Sequence, residues 1–262
     1  MKLTWFDANT WLIEADGKRI LVDPWFVDDL VFGDSPWLVR GVKTDPPPIP
    51  TDIDLILLSQ GLADHAHPPT LKQLDKSIPV MASPDGAAVA KSIGFEQVTT
   101  LDHGDSAALP DSAVSVQTFV GAVVGMTKRE NAYVLTFATE GTRLYYEPHG
   151  YPDAEHLKSL GSVDVVITPM ADITLMGIAP VVRGGVAAPQ LAELLQPQVM
   201  LPTAEEGKVT YDGLIAGAIK TAGGADKMRS QLAAKGFKTQ VIQPVSGETV
   251  ELALQARVPV GS

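Results

Sequence analysis

Two stretches of this chain follow one plan. "TWLIEADGKRILVDPW" (10–25) and "AYVLTFATEGTRLYYEPH" (132–149) each read strand, acid-Gly turn, Arg, apolar strand, acid, proline, then an aromatic or histidine. Each is followed by a strand opening on aspartate, "DLILLS" at 54–59 and "DVVITP" at 164–169, and then by a helix and another strand. Asp16-Gly17 and Glu140-Gly141 suit the positive φ angles of a tight hairpin turn. A repeated β-then-α/β unit buries its sheets best face to face, with helices outside. The expected architecture is a four-layer αββα sandwich of two mixed sheets. It is one domain over 1–262, built from similar halves of about 1–110 and 111–262, with strand ends gathered along one edge.

The remaining segments fit that plan. "SPDGAAVAKSIGF" is a helix with Ser83 as N-cap, Pro84 at its first position and Gly94 as its stop. Shorter helices are expected at "PPTLKQLDKS", "PDAEHLKSLG" and "APQLAELLQP", with strands between them. Residues 25–50 show no periodicity and read as a long loop. Its Trp25, Phe26 and Trp37 make it either an ordered lid, with Trp25 touching substrate, or cover for the core.

Composition narrows the function classes. Net charge is -11, and the densest basic spot is "KRE" at 128–130, so no nucleic-acid partner is expected. There is no cysteine, which excludes disulfides, thiolate metal sites and cysteine nucleophiles. No segment reaches the ~18 apolar residues of a membrane span, and the N-terminus alternates where a signal peptide would run apolar. A soluble, cytoplasmic protein is expected, acting on a small-molecule ligand or substrate, with self-association left open. Only five histidines, at 65, 67, 103, 149 and 156, can serve a metal site.

The apolar run of "LILLSQGLADHAHPP" (55–69) stops at Ser59 and delivers Asp64, His65 and His67. Together with "RILVDPW", "LDHGDS", "RLYYEPHG" and "TPMADITLMG", this stretch resembles the metallo-β-lactamase superfamily, in its ascorbate-6-phosphate lactonase-like branch. The resemblance covers nearly the whole chain. It implies a His-x-His-x-Asp-His signature, two metals (usually zinc), a bridging Asp and further histidines. Here the first two signature histidines fall on Gln60 and Leu62, the bridging Asp on His149 and the last His on Thr203. No histidine occurs near "FVGAVVGM", where another ligand belongs. Leucine has no lone pair, and a glutamine oxygen replaces imidazole poorly at zinc. The first metal is therefore expected to be lost. Asp64, His65 and His149 remain as ligands for one zinc or iron ion, with Glu147 and His67 as alternatives, and a metal-free site is the competing expectation.

On this reading the protein is a hydrolase of a small ester, lactone or phosphoester, using metal-activated water, with Asp64 and His65 as its catalytic pair. Arg183, in a Gly-rich loop, and Arg129 are candidates to hold an anionic substrate group. The alternative is a non-catalytic small-molecule-binding or regulatory protein on the same fold. Metal-free acid–base catalysis by His65–Asp64 or His149–Glu147 ranks third, because no nucleophile or oxyanion hole accompanies it.

Overall fold

A computed structural model describes residues 1–32, 35–124, 128–175 and 179–256. Two seven-stranded sheets dominate it. The first runs Thr249–Glu251, Lys2–Trp5, Trp11–Ala15, Lys18–Val22, Leu55–Leu58, Val80–Ala82, Val98–Thr100. The second runs Gln240–Val241, Val199–Leu201, Val165–Ile167, Thr142–Tyr146, Lys128–Phe137, Val114–Val124, Ser106–Ala108. Each is mixed. A hairpin of the expected repeat supplies the antiparallel part, Trp11–Ala15 with Lys18–Val22 and Lys128–Phe137 with Thr142–Tyr146. The strands opening on aspartate then add in parallel, Leu55–Leu58 beside Lys18–Val22 and Val165–Ile167 beside Thr142–Tyr146. Asp16 and Gly17 take φ of 50° and 69°, as the first hairpin turn demands.

Alternation along the strands assigns each side chain to a layer. Leu55 and Leu57 enter the core between the sheets, where Tyr133, Leu135, Phe137, Leu144 and Tyr146 meet them. Ile56 and Leu58 face the opposite way, onto Leu71, Ala87 and Ala90 of the helices Pro68–Gln73 and Pro84–Ile93. On the second sheet Val134, Tyr145 and Val166 point outward to Leu191, Leu195 and Met228 of the helices Gly184–Leu195 and Ala225–Ala234. These three apolar interfaces are the sandwich: helices, sheet, sheet, helices. The Ser83 hydroxyl accepts from the amide of Gly86, and Gly94 closes the helix in the left-handed region at φ 98°. No helix is long and apolar enough to cross a membrane, among the described residues.

Three segments differ from expectation. Residues 25–50 are not structureless: Leu30–Val31 and Arg40–Lys43 pair into a small sheet with Val209–Asp212, a partner too remote in sequence for periodicity to reveal. The Gly-rich stretch around Arg183 is likewise ordered. Ala179–Arg183 pairs with Ala171–Leu175, and the helix then starts at Gly184, earlier than expected, with Pro189 inside its second turn. The helix in "PDAEHLKSLG" is a single turn, Ala154–Leu157.

Candidate metal centre

The edges of both sheets deliver polar side chains to one point. From the first sheet come Asp23, directly after Lys18–Val22, and Ser59, Gln60, Asp64 and His65, after Leu55–Leu58. From the second come Glu130 on Lys128–Phe137 and Glu147 and His149 after Thr142–Tyr146. Asp23, Ser59, Gln60, His65, Glu130 and Glu147 are all buried. Cross-sheet bonds hold the edges in register. The amide of Asn131 donates to the Ser59 carbonyl at 2.9 Å, the Tyr133 hydroxyl to the Leu58 carbonyl at 2.7 Å, and the Tyr146 hydroxyl to Asp23 Oδ2 at 2.6 Å.

Both histidines are fixed through Nδ1. His65 Nδ1 lies 2.8 Å from Asp23 Oδ2, and His149 Nδ1 lies 2.7 Å from Glu130 Oε2. A carboxylate only accepts, so each Nδ1 carries a proton, and His65 Nε2 faces Asp64 Oδ2 and, at 3.4 Å, Asn9 Nδ2. Asp23 also accepts from the Ser59 amide at 2.8 Å and the Ser59 hydroxyl at 2.6 Å. The rings of His65 and His149 lie 5.1 Å apart, centroid to centroid. Asp64, His65 and His149 each bring one ligand-type atom within 4.8 Å of the others. His65 Nε2 meets Asp64 Oδ2 at 3.2 Å, whereas Asp64 Oδ1 is buried with no hydrogen-bond partner among the described residues.

This donor set fits one divalent ion. A metal-ligating histidine ordinarily gives its other ring N–H to a carboxylate, which sets tautomer and orientation. Both imidazoles already have that arrangement, and an Asp64 oxygen lies within 4.8 Å of a nitrogen of each. Burial disfavours charge on His65, but Asp64 and Asp23 outweigh it and hold its pKa well above the usual 6.5. His149 is raised in the same way, burial being outweighed by Glu130. The partners respond oppositely: despite burial, Asp64 and Glu130 are lowered by the two histidines.

The other half of the two-metal signature is occupied by protein. Gln60 Nε2 donates to Glu130 Oε2 at 3.2 Å, while Glu130 Oε1 accepts from the Ala122 amide at 2.9 Å. Room for that carboxylate comes from Gly121, where a Cβ would lie 2.4 Å from Glu130 Cγ. The strand register shifts between Val120 and Val123 at this point. Leu62 is 46% exposed beside the site, and Thr203 is bonded to Trp11 and the Ala8 carbonyl.

The remaining candidates are dispersed. Glu147 accepts three amides, of His149, Gly150 and Tyr151, and so shapes the turn that carries His149. Burial and the nearby Glu130 push its pKa up to about 7. His67 is buried against Trp25 and bonded to Thr70, away from the three clustered donors. Trp25 is fully buried at 0% exposure, packed with Leu30 and Val209 beneath Lys43. Arg183 is exposed and lies over the Tyr151 ring at 5.4 Å, while Arg129 is exposed in a hollow with Val123, Tyr151 and Asp153. His103 bonds the Glu130 carbonyl, and His156 pairs with Asp153 at the surface.

Sequence reasoning missed Asp23 and Glu130. The repeat did mark Asp23, since it places Asp23 and Glu147 at equivalent strand ends. Glu130 gave no such signal, being one polar residue in "TKREN".

Two clefts open beside the centre. One, of about 320 Å³, has Asp64 and His149 on walls otherwise dominated by apolar side chains such as Ile173, Val182, Tyr211 and Ile215. The other, of about 370 Å³, lies across His149 and is lined by Leu62, Val123, Tyr151 and Val181 among others.

Known proteins place this geometry. A UPF0173 metal-dependent hydrolase of Halobacterium salinarum is 30% identical over 118 residues, 44% of this chain. The match spans 42% of that relative's length. An isothiocyanate hydrolase from Delia radicum gut bacteria superposes with a TM-score of 0.68 at 17% identity, covering 96% of this chain and 99% of the other. A metallo hydrolase from Ignicoccus hospitalis gives a TM-score of 0.66 at 16% identity, with 95% and 97% covered. The profile of the beta-lactamase superfamily domain matches residues 2–204. With this match, two mixed sheets and a metal-type donor cluster at their shared edge, the chain belongs to the metallo-β-lactamase superfamily.

Proposed function

We propose that this protein is a hydrolase of a small-molecule ester, lactone or phosphoester, with one divalent metal ion held by Asp64, His65 and His149. The observation that carries this reading is the pair of carboxylate-anchored imidazoles clustered with Asp64, one donor atom of each within 4.8 Å of the others. Zinc and ferrous iron both suit a two-histidine, one-carboxylate set. Such an ion supplies Lewis acidity, which polarises the scissile carbonyl or phosphoryl group and acidifies water. The protein supplies the rest. Asp23 and Glu130 keep the imidazoles oriented, and the Asp64 carboxylate completes the donor set. The adjoining clefts hold substrate and limit solvent.

The test is elemental analysis of the chain purified under physiological metal supply, with anomalous scattering to locate the ion. About one equivalent of zinc or iron is expected, lost in His149→Ala, together with metal-dependent ester hydrolysis. Absence of metal, or full activity in an Asp64→Ala, His149→Ala double variant, overturns the reading. A second reading, ligand binding without turnover, draws on the 3.2 Å contact by which His65 and Asp64 satisfy each other unaided. Metal-dependent turnover in a substrate screen would sink it.

A further inference from the structure

We infer that the substrate is uncharged and carries apolar groups on both sides of its scissile bond; this deepens the hydrolase reading and rests on it. His149 and Val181 line both clefts, so the two spaces flank the metal-type cluster. One cleft is walled by aliphatic and aromatic side chains, and Ile173, Val182 and Ile215 are typical of it. The other is the side from which the first-metal ligands have gone. Leu62 stands there at a signature histidine position, with Val123 and Val181 beside it.

These three side chains are 46%, 55% and 51% exposed, and they belong to a short roll of large exposed apolar residues among those described. Apolar groups gathered around a reactive centre mark a binding surface more often than scattered ones do. Leu62, Val123 and Val181 give the second cleft an apolar wall beside the buried Gln60–Glu130 pair.

Charge points the same way. No lysine or arginine lines either cleft among the described residues. The charged groups facing the spaces are Asp64, Glu206 and the His149 imidazole, and Glu130 lies buried behind His149. Arg183 and Arg129, the guanidiniums nearest in sequence logic, lie outside both lining sets. A phosphomonoester or carboxylate substrate would meet Glu206 and apolar walls with no lysine or arginine to bind its charge, leaving the ion as its one cationic contact. A neutral ester, lactone or comparable acyl compound would lose only water from two apolar walls.

The test separates binding from turnover. The full chain, as purified, is titrated with the neutral fluorescent probe N-phenyl-1-naphthylamine, and the probe is then competed off with 1-octanol or octyl phosphate. These competitors share a tail and differ in head charge. Octanol should compete at least about tenfold better. Val181→Asp and Leu62→Ser should each weaken the probe by about three- to tenfold, while Lys227→Gln, exposed on the helix Ala225–Ala234 and outside both clefts, leaves it unchanged. In turnover, p-nitrophenyl butyrate should exceed p-nitrophenyl phosphate by about a hundredfold in kcat/KM. Preferred hydrolysis of the phosphate, or probe binding indifferent to Val181→Asp and Leu62→Ser in folded variants, overturns the inference. Probe binding with this pattern but no turnover of either ester supports the apolar site and defeats the hydrolase reading instead.

Discussion

Glu130 Oε2 and His149 Nδ1 lie 2.7 Å apart, within a carboxylate–imidazole pair whose acid is wholly buried on one strand and whose base lies in the turn after the next. Glu130 therefore fixes the ring and its tautomer, the role an outer partner plays for a metal-ligating histidine.

Removing that partner's charge tests the assignment. In Glu130→Gln the imidazole keeps its packing, but the carboxylate charge is gone and one oxygen must serve where two accepted from His149, Gln60 and the Ala122 amide. Metal affinity should fall by about 10- to 100-fold, read by competition against a chelating dye, with the far-UV spectrum unchanged.

Asp23→Asn should cost more in stability. Asp23 accepts from the Ser59 amide and hydroxyl, the Tyr146 hydroxyl and His65. An amide group turns one accepting oxygen into a donor that faces other donors. Its φ of 43° is left-handed, a region asparagine tolerates, so backbone strain does not confuse the result. A loss of about 2–4 kcal/mol in urea unfolding is expected, together with weaker metal binding.

Gly150→Ala probes the turn that carries His149. Gly150 has φ 79°, and an added Cβ would lie 2.7 Å from the Arg183 carbonyl carbon. The Arg183 amide donates to the His149 carbonyl, so relief of the clash moves the ligand's own backbone. Stability should drop by about 1–3 kcal/mol. Metal affinity should fall with it.

His67 predicts a pH dependence. Burial lowers its pKa from 6.5 to about 4. Between these values the unfolded chain binds a proton that the folded chain does not, so stability falls as pH falls. Its contribution is intact above about pH 6.5 and is progressively lost toward pH 4, by at most about 3 kcal/mol. Urea midpoints measured at pH 7 and pH 5 should differ more in the wild type than in His67→Gln.

Different physical signals made the fold and the site unequally legible. Strand alternation and the repeated hairpin are local patterns, and they sufficed for the two sheets and outer helices. The pairing of Arg40–Lys43 with Val209–Asp212 depends on contacts far apart in sequence, so residues 25–50 looked irregular. At the centre, Asp64, His65 and His149 stand at strand ends, where a motif can be read. Glu130 could not be found that way, because a polar residue in a strand looks solvent-facing until Gly121 and Gln60 are seen around it.

The clustered donors also span a seam. His65 and Asp64 belong to the first sheet, His149 to the second, and a few bonds such as Asn131 to Ser59 stitch the edges between them. An ion held by all three would act as a rivet through the sandwich, binding only while the layers stay docked. Its affinity would then report on closure of the protein, and the melting temperature should climb with the logarithm of free metal concentration.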